Sequence, residues 1–173
     1  MKRLTLLFFG FSVFTSAFAQ TTWESVYAVL QTNCGSCHVA GHTSGLDLSA
    51  SIGEVYDNLY HLTPSNATSA AKGYKRVFPG EPYKSFLFSK VNNGLAWDVN
   101  LEAGEGDACP QGAAPLNNKD IELIRQWIMY GAFESDFAVD IPLINEFYDN
   151  GGLQSLPLPP APPAVGEGFQ VHF

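Results

Sequence analysis

Two thiols and an imidazole stand together in Cys34-Gly35-Ser36-Cys37-His38. Two cysteines three positions apart, with a histidine directly after the second, have the spacing of a c-type haem attachment site. The thiols can add to the two vinyl groups of one haem, which leaves the histidine beneath the ring as an iron ligand. Two other chemistries use a CxxC pair. A thioredoxin-like redox site wants the pair between a strand and a helix, in a βαβ setting that the surrounding pattern does not supply. A structural zinc site wants four N or S ligands, and Cys34, Cys37, Cys109 and either His38 or His42 make four. The third cysteine is remote, however, and no second CxxC or HxxxH completes a zinc pattern. The residues point to one covalent haem c per chain.

The N-terminus sets the compartment. Lys2 and Arg3 precede an apolar run from Leu4 to Phe18, and Ala17-Phe18-Ala19 is a small-x-small cleavage signature. The run falls short of the roughly 20 residues that span a bilayer. Residues 1–19 therefore read as a signal peptide, and the mature chain as periplasmic or secreted with no transmembrane segment. Three cysteines are an odd number for an oxidising compartment. With Cys34 and Cys37 on haem, Cys109 is left over, as a buried thiol, an intermolecular disulfide partner or a ligand. Loss of Lys2 and Arg3 makes a chain already at −8 more acidic still. That charge excludes nucleic acid as a partner and favours a redox partner with a basic or neutral surface.

The elements that must position these residues read as helices. Thr21 or Thr22 caps a first helix with Trp23, Val26, Tyr27 and Leu30 on one stripe, and this helix runs into the CxxCH. Gly45-Leu46-Asp47-Leu48 is an extended turn. Ser51-x-x-Glu54 is a capping box for a short helix with Ile52, Val55, Tyr56 and Leu59 facing inward. Residues 64–73 read as a surface loop. Pro82 starts a helix from about Tyr83 to Val91, with Phe86, Leu87 and Val91 inward. Lys72, Lys75, Arg76, Lys84 and Lys90 form a basic island here, from which Arg76 or a lysine could pair with a haem propionate. Residues 92–114 are glycine-rich and acidic, and predict an irregular loop ending in Cys109-Pro110. The clearest helix follows, capped by Asn117-x-x-Asp120, striped by Ile121, Ile124, Trp127 and Ile128, and closed at Gly131. A further short helix runs from Asp140 to Gly151 with Ile141, Ile144 and Phe147. Leu156 to Pro163 has polyproline II character, and the end at Gly168–Phe173 looks like an unpaired strand. The expected fold class is all-α, a small helical domain wrapped around one haem (residues 20–135), followed by a short helix, linker and tail (136–173).

In these segments the chain resembles the monohaem class I cytochrome c family, in particular exported bacterial cytochrome c domains. The resemblance covers roughly Trp23 to Phe133. It rests on the CxxCH, on Gly45-Leu46-Asp47-Leu48, on Val77-Phe78-Pro79-Gly80-x-Pro82-x-x-Ser85, and on Ile124-Arg125-Gln126-Trp127-Ile128 with Gly131-Ala132. It implies Cys34, Cys37 and His38 as the haem-binding residues, His38 as proximal ligand, and a one-electron carrier or electron-transfer domain. In that family a Met-Pro pair ahead of the last helix supplies the second iron ligand, and here the matching pair is Cys109-Pro110. Thiolate ligation lowers a haem's potential where thioether raises it. Met129, His61 and His42 are the other candidates for the distal position, and an open face is the remaining one. His/Cys ligation also resembles that of some sulfur-oxidising cytochromes, which makes a haem enzyme or sensor for a small sulfur compound or other small ligand the alternative. Similar exported domains precede further modules, so the tail from residue 153 onward is a candidate docking element for a partner module.

Overall fold

The apolar stripe of the first helix meets its partner near the far end of the chain. In the computed structural model, which describes residues 20–152, Trp23 stacks on Trp127 with ring centroids 5.1 Å apart. Six α-helices are present among the described residues: α1 (Thr22–Cys34), α2 (Ile52–Leu59), α3 (Ala67–Ala71), α4 (Phe86–Val91), α5 (Asn118–Met129) and α6 (Ile141–Asp149). Among the described residues only two isolated β-bridges occur, Tyr60 with Val77 and Lys75 with Ser85. The all-α class holds. No helix among the described residues is long and apolar enough to cross a membrane. The leader and the proline-rich tail lie outside the described residues.

Capping chemistry sets where α1, α2 and α5 begin. Thr21 and Ser51 each accept from the backbone N–H three residues on, at Glu24 and Glu54, whose carboxylates reach back to the cap N–H groups. Asn117 accepts from Asp120 N–H at 3.0 Å and starts α5. Val26, Leu30, Val55, Leu59, Ile121, Ile124 and Ile128 are all buried, as their stripes predict. Packing of α5 on α1, α4 and α6 makes one core, in which Trp127 also donates its indole N–H to Phe133 O at 3.0 Å. The helix over Ile141–Asp149 shares this core through Val139 and Ile144. Thr22 N–H donates to Asp136 O at 2.9 Å, so the start of α1 is tied to the segment that leads into α6.

Two expectations need correction. Residues 64–73 are not all loop, because the Asn66 side chain accepts from Ser69 N–H at 2.9 Å and winds the short α3. The helix over Tyr83–Val91 is broken into a 3₁₀ turn, Pro82–Lys84, and α4. The break has a plain cause: Phe86 N–H and Leu87 N–H donate to Lys75 O and Arg76 O, pulling Ser85 into extended backbone between the two turns. With that break Phe88 takes the fully buried position, and Phe86 is only half-buried. On α6 Ile144 is the buried residue, and Phe147 is 47% exposed.

Candidate functional site

The end of α1 and the turn after it carry Cys34, Cys37 and His38. Gly35 N–H donates to Gln31 O, and Cys37 N–H and His38 N–H both donate to Cys34 O, which continues the helix by one more turn. A Cβ at residue 35 would lie 2.4 Å from Gln31 O, so only glycine lets the chain pass. Cys34 thereby faces inward and buried, Cys37 sits exposed at the rim, and His38 is half-buried between them and the following loop. All three line one cavity of about 520 Å³.

A hydroxyl that sequence reading passed over orders the imidazoles. Ser44 Oγ lies 3.1 Å from His38 Nδ1 and 2.7 Å from His42 Nδ1, and it accepts from Leu46 N–H. Ser44 N–H also donates to His42 Nδ1, which marks that nitrogen as an acceptor. The hydroxyl proton then goes to His42, and Ser44 Oγ accepts from the N–H at His38 Nδ1. This arrangement leaves His38 Nε2 with its lone pair for a metal, the usual way an outer partner fixes a histidine tautomer. Burial, and then the neighbouring His42 ring, hold His38 below the ordinary histidine pKa and favour that neutral form.

Cys109 reaches the same cavity from the acidic loop. Its N–H donates to Lys90 O, and its Sγ stands 2.7 Å from Cys34 Sγ. The two thiols are pushed in opposite directions. Cys34 is pushed up by its hydrogen bond to Cys109 and by burial. Cys109 is pulled down by the same bond against its own burial, with Lys90 helping. Of the two, Cys109 is the readier to ionise.

Of the other distal candidates, His42 lines the cavity, while Met129 and His61 do not. The His42 ring lies 4.4 Å from the His38 ring and shares its serine, so the two are too close to face one another across an iron atom. Met129 is 38% exposed on α5, with its sulfur near Arg125. His61 packs edge-on against Phe78. The structure brings Cys109 alone of these four to the cavity away from the His38–Ser44–His42 cluster.

The basic island does not form one patch. The Arg76 guanidinium donates to Ser44 O, Asn58 O and Gly45 O, clamping the loop after the CxxCH to the end of α2. Lys90 donates to Glu105 O and Asp107 O, and Lys72 to the Glu105 carboxylate at 2.9 Å. Lys75 donates to Thr63, and Lys84 pairs with Glu81. The charges missed as individuals by the sequence reading are these loop clamps. Glu105 is 1% exposed and also accepts from Glu102 N–H. Burial pushes its carboxyl up, but the Glu102 N–H and the Lys72 ammonium outweigh it and hold the group below the usual carboxylate range. A depressed carboxyl stabilises the fold above its unfolded pKa of about 4.5 and loses that contribution as pH falls through the folded value. Glu105→Gln should therefore lower the melting temperature at pH 7, with the difference from the parent shrinking as the solution is acidified below pH 4.5. Thermal scans of both chains across pH check this, and a gap that stays constant with pH would count against the clamp.

The residues present fit a haem. Leu30, Leu48, Leu59, Leu87 and Val91 give apolar walls, a free imidazole nitrogen and two thiols give the attachment set, and the volume lies in the range of cofactor pockets. Against protein-family models, curated proteins and solved structures, the chain has no match.

Proposed function

We propose that the chain is an exported monohaem c-type cytochrome that passes single electrons to and from a partner protein. The observation that carries this reading is the convergence of Cys34, Cys37, His38 and Cys109 on one apolar-walled cavity, with His38 Nε2 uncommitted. Cys34 and Cys37 would hold the group through thioether bonds, and His38 would ligate its iron. Bound there, haem supplies reversible one-electron chemistry, and the protein sets its potential. Ser44 holds the His38 ring in place and makes it a better donor. Arg76 fixes the loop that carries Ser44, and Lys90 and Lys72 hold the acidic loop that carries Cys109.

Alkylation of Cys34 has a consequence for its neighbour. A thioether has no S–H, so an alkylated Cys34 would no longer donate to Cys109, and the two sulfurs would stand at van der Waals distance. Cys109 stays the distal candidate because, of the four candidates, it alone lines the cavity outside the histidine cluster. Intact-mass spectrometry of the exported chain tests the main reading: the expected mass is that of the mature polypeptide plus one haem, with a reversible dithionite-reduced spectrum. A colourless chain of bare polypeptide mass, purified from a host that matures other c-type cytochromes, would sink it. Turnover of thiosulfate or peroxide would instead favour a catalyst.

Cys109→Ala should change the ferric optical and EPR spectra. It should also raise the midpoint potential by at least the ~59 mV of a tenfold change in a one-electron equilibrium. Unchanged spectra would remove Cys109 from the iron and leave it as cavity wall.

A further inference from the structure

A second concavity shares no lining residue with the one that holds the thiols. Tyr83, Trp97, Tyr130, Leu143, Phe147 and Tyr148 form its walls, around a volume of about 730 Å³. The apolar exposure here is large: Trp97 is 87% exposed, Leu143 59%, Tyr83 49%, and Tyr130 and Phe147 47% each. Two other members of the lining, Glu122 and Arg125, neutralise one another through a two-pronged ion pair, and Gln126 donates to the same carboxylate. The groove is thus an aromatic surface in which the Glu122–Arg125 charges are paired, Asp140 caps α6 by accepting from Leu143 N–H, and Asp98 is the remaining carboxylate of the lining. Aromatic-lined grooves of this kind take polyproline II segments, whose rigid backbone loses little entropy on docking and whose free carbonyls accept from Tyr hydroxyls and Trp N–H.

The chain itself carries such a segment beside the groove. The described residues end at Gly152, and Leu156-Pro157-Leu158-Pro159-Pro160-Ala161-Pro162-Pro163 follows within a few positions. At the end of α6 the backbone takes positive φ at Gly151 (103°) and Gly152 (46°), so the chain leaves the helix axis. Its last described residue stands against the groove wall: a Cβ on Gly152 would lie 2.6 Å from Tyr148 and 3.5 Å from Phe147. Eight residues of polyproline II extend about 25 Å, ample to cross the groove. The segment from Leu153 to Pro163 bears no charge, so it meets no repulsion from Asp98 or Asp140 in the groove lining. A tether this short gives an effective concentration in the millimolar range, so even a weak contact is populated.

We propose that the groove between α5, α6 and the Trp97 loop is the docking site of the chain's own proline-rich segment, Leu156–Pro163. The proposal is independent of the haem reading. Hydroxyl-radical footprinting of the full mature chain tests it, with oxidation of Trp97 read by mass spectrometry. The comparison chain replaces Pro159, Pro160, Pro162 and Pro163 by serine, which keeps the length and charge of the tail and leaves every described residue untouched. The expected result is that Trp97 oxidises about threefold or more faster in the serine chain, at all protein concentrations, and that a synthetic peptide of residues 153–173 slows it again. Equal rates in the two chains would overturn the proposal, whether Trp97 is protected in both or in neither. Protection that vanishes on dilution of the parent chain would overturn it too, and assign the groove to a second copy.

Discussion

Chains carrying Cys34→Ser and Cys37→Ser together should lose all covalently held pigment, read as the disappearance of haem staining after denaturing electrophoresis. Cys34 and Cys37 lie on one turn, but their surroundings differ. Cys34 is 5% exposed and touches Cys109, whereas Cys37 is open to solvent at the rim. Removing Cys37 alone should leave one thioether and a stained band, because the buried thiol is already directed into the cavity beside His38. The double variant should still fold. A serine at 34 keeps a donor for Cys109, and the cost of placing a small polar group there is about 1–3 kcal/mol, within the 5–15 kcal/mol that such domains have. Staining that survives the double substitution would show that the pigment is held elsewhere.

Trp127→Ala is the second large effect, an expected loss of about 3–5 kcal/mol of unfolding free energy. Trp127 is 1% exposed, stacks on Trp23, and is the link through which α5 holds α1. Alanine removes the stacked ring and leaves a cavity between two helices that cannot close up without moving the CxxCH turn. It also strands the carbonyl of Phe133, which accepts the indole N–H. Trp127→Phe keeps most of the ring volume and loses the hydrogen bond, so it should cost less than half as much. Urea unfolding of the three chains gives the ranking, and a Phe variant as damaged as the Ala variant would mean that the hydrogen bond, not the stack, joins the helices.

The parts of this molecule that rest on local rules were legible in its sequence. Thr21, Ser51, Asn117 and Asp140 cap helices where their side chains predict, and Ile121, Ile124, Trp127 and Ile128 fall on a period that only a helix buries. Residues whose role depends on distant partners were not. Phe88 replaced Phe86 in the core because carbonyls from Lys75 and Arg76 intercept the first N–H groups of α4, which no periodicity within residues 83–91 encodes. Ser44 was invisible as a histidine-orienting group because nothing in its spacing separates it from an ordinary loop serine. Glu105 read as one acid in an acidic stretch, and its burial follows only when Lys72 and Lys90 arrive from other elements. The candidate site was therefore readable where its chemistry is written in one pentapeptide, and unreadable where it is assembled from loops.

The Trp23–Trp127 stack has a temporal side. The thiols of α1 leave the ribosome before α5 has been made, and α1 has nothing to dock against until residues near Trp127 have followed. At about 5–20 residues per second, that interval is roughly 5–20 s. For that long the whole pentapeptide is accessible to any enzyme that modifies cysteines, whereas in the folded chain Cys34 is buried and Cys37 alone of the two thiols stays at the surface.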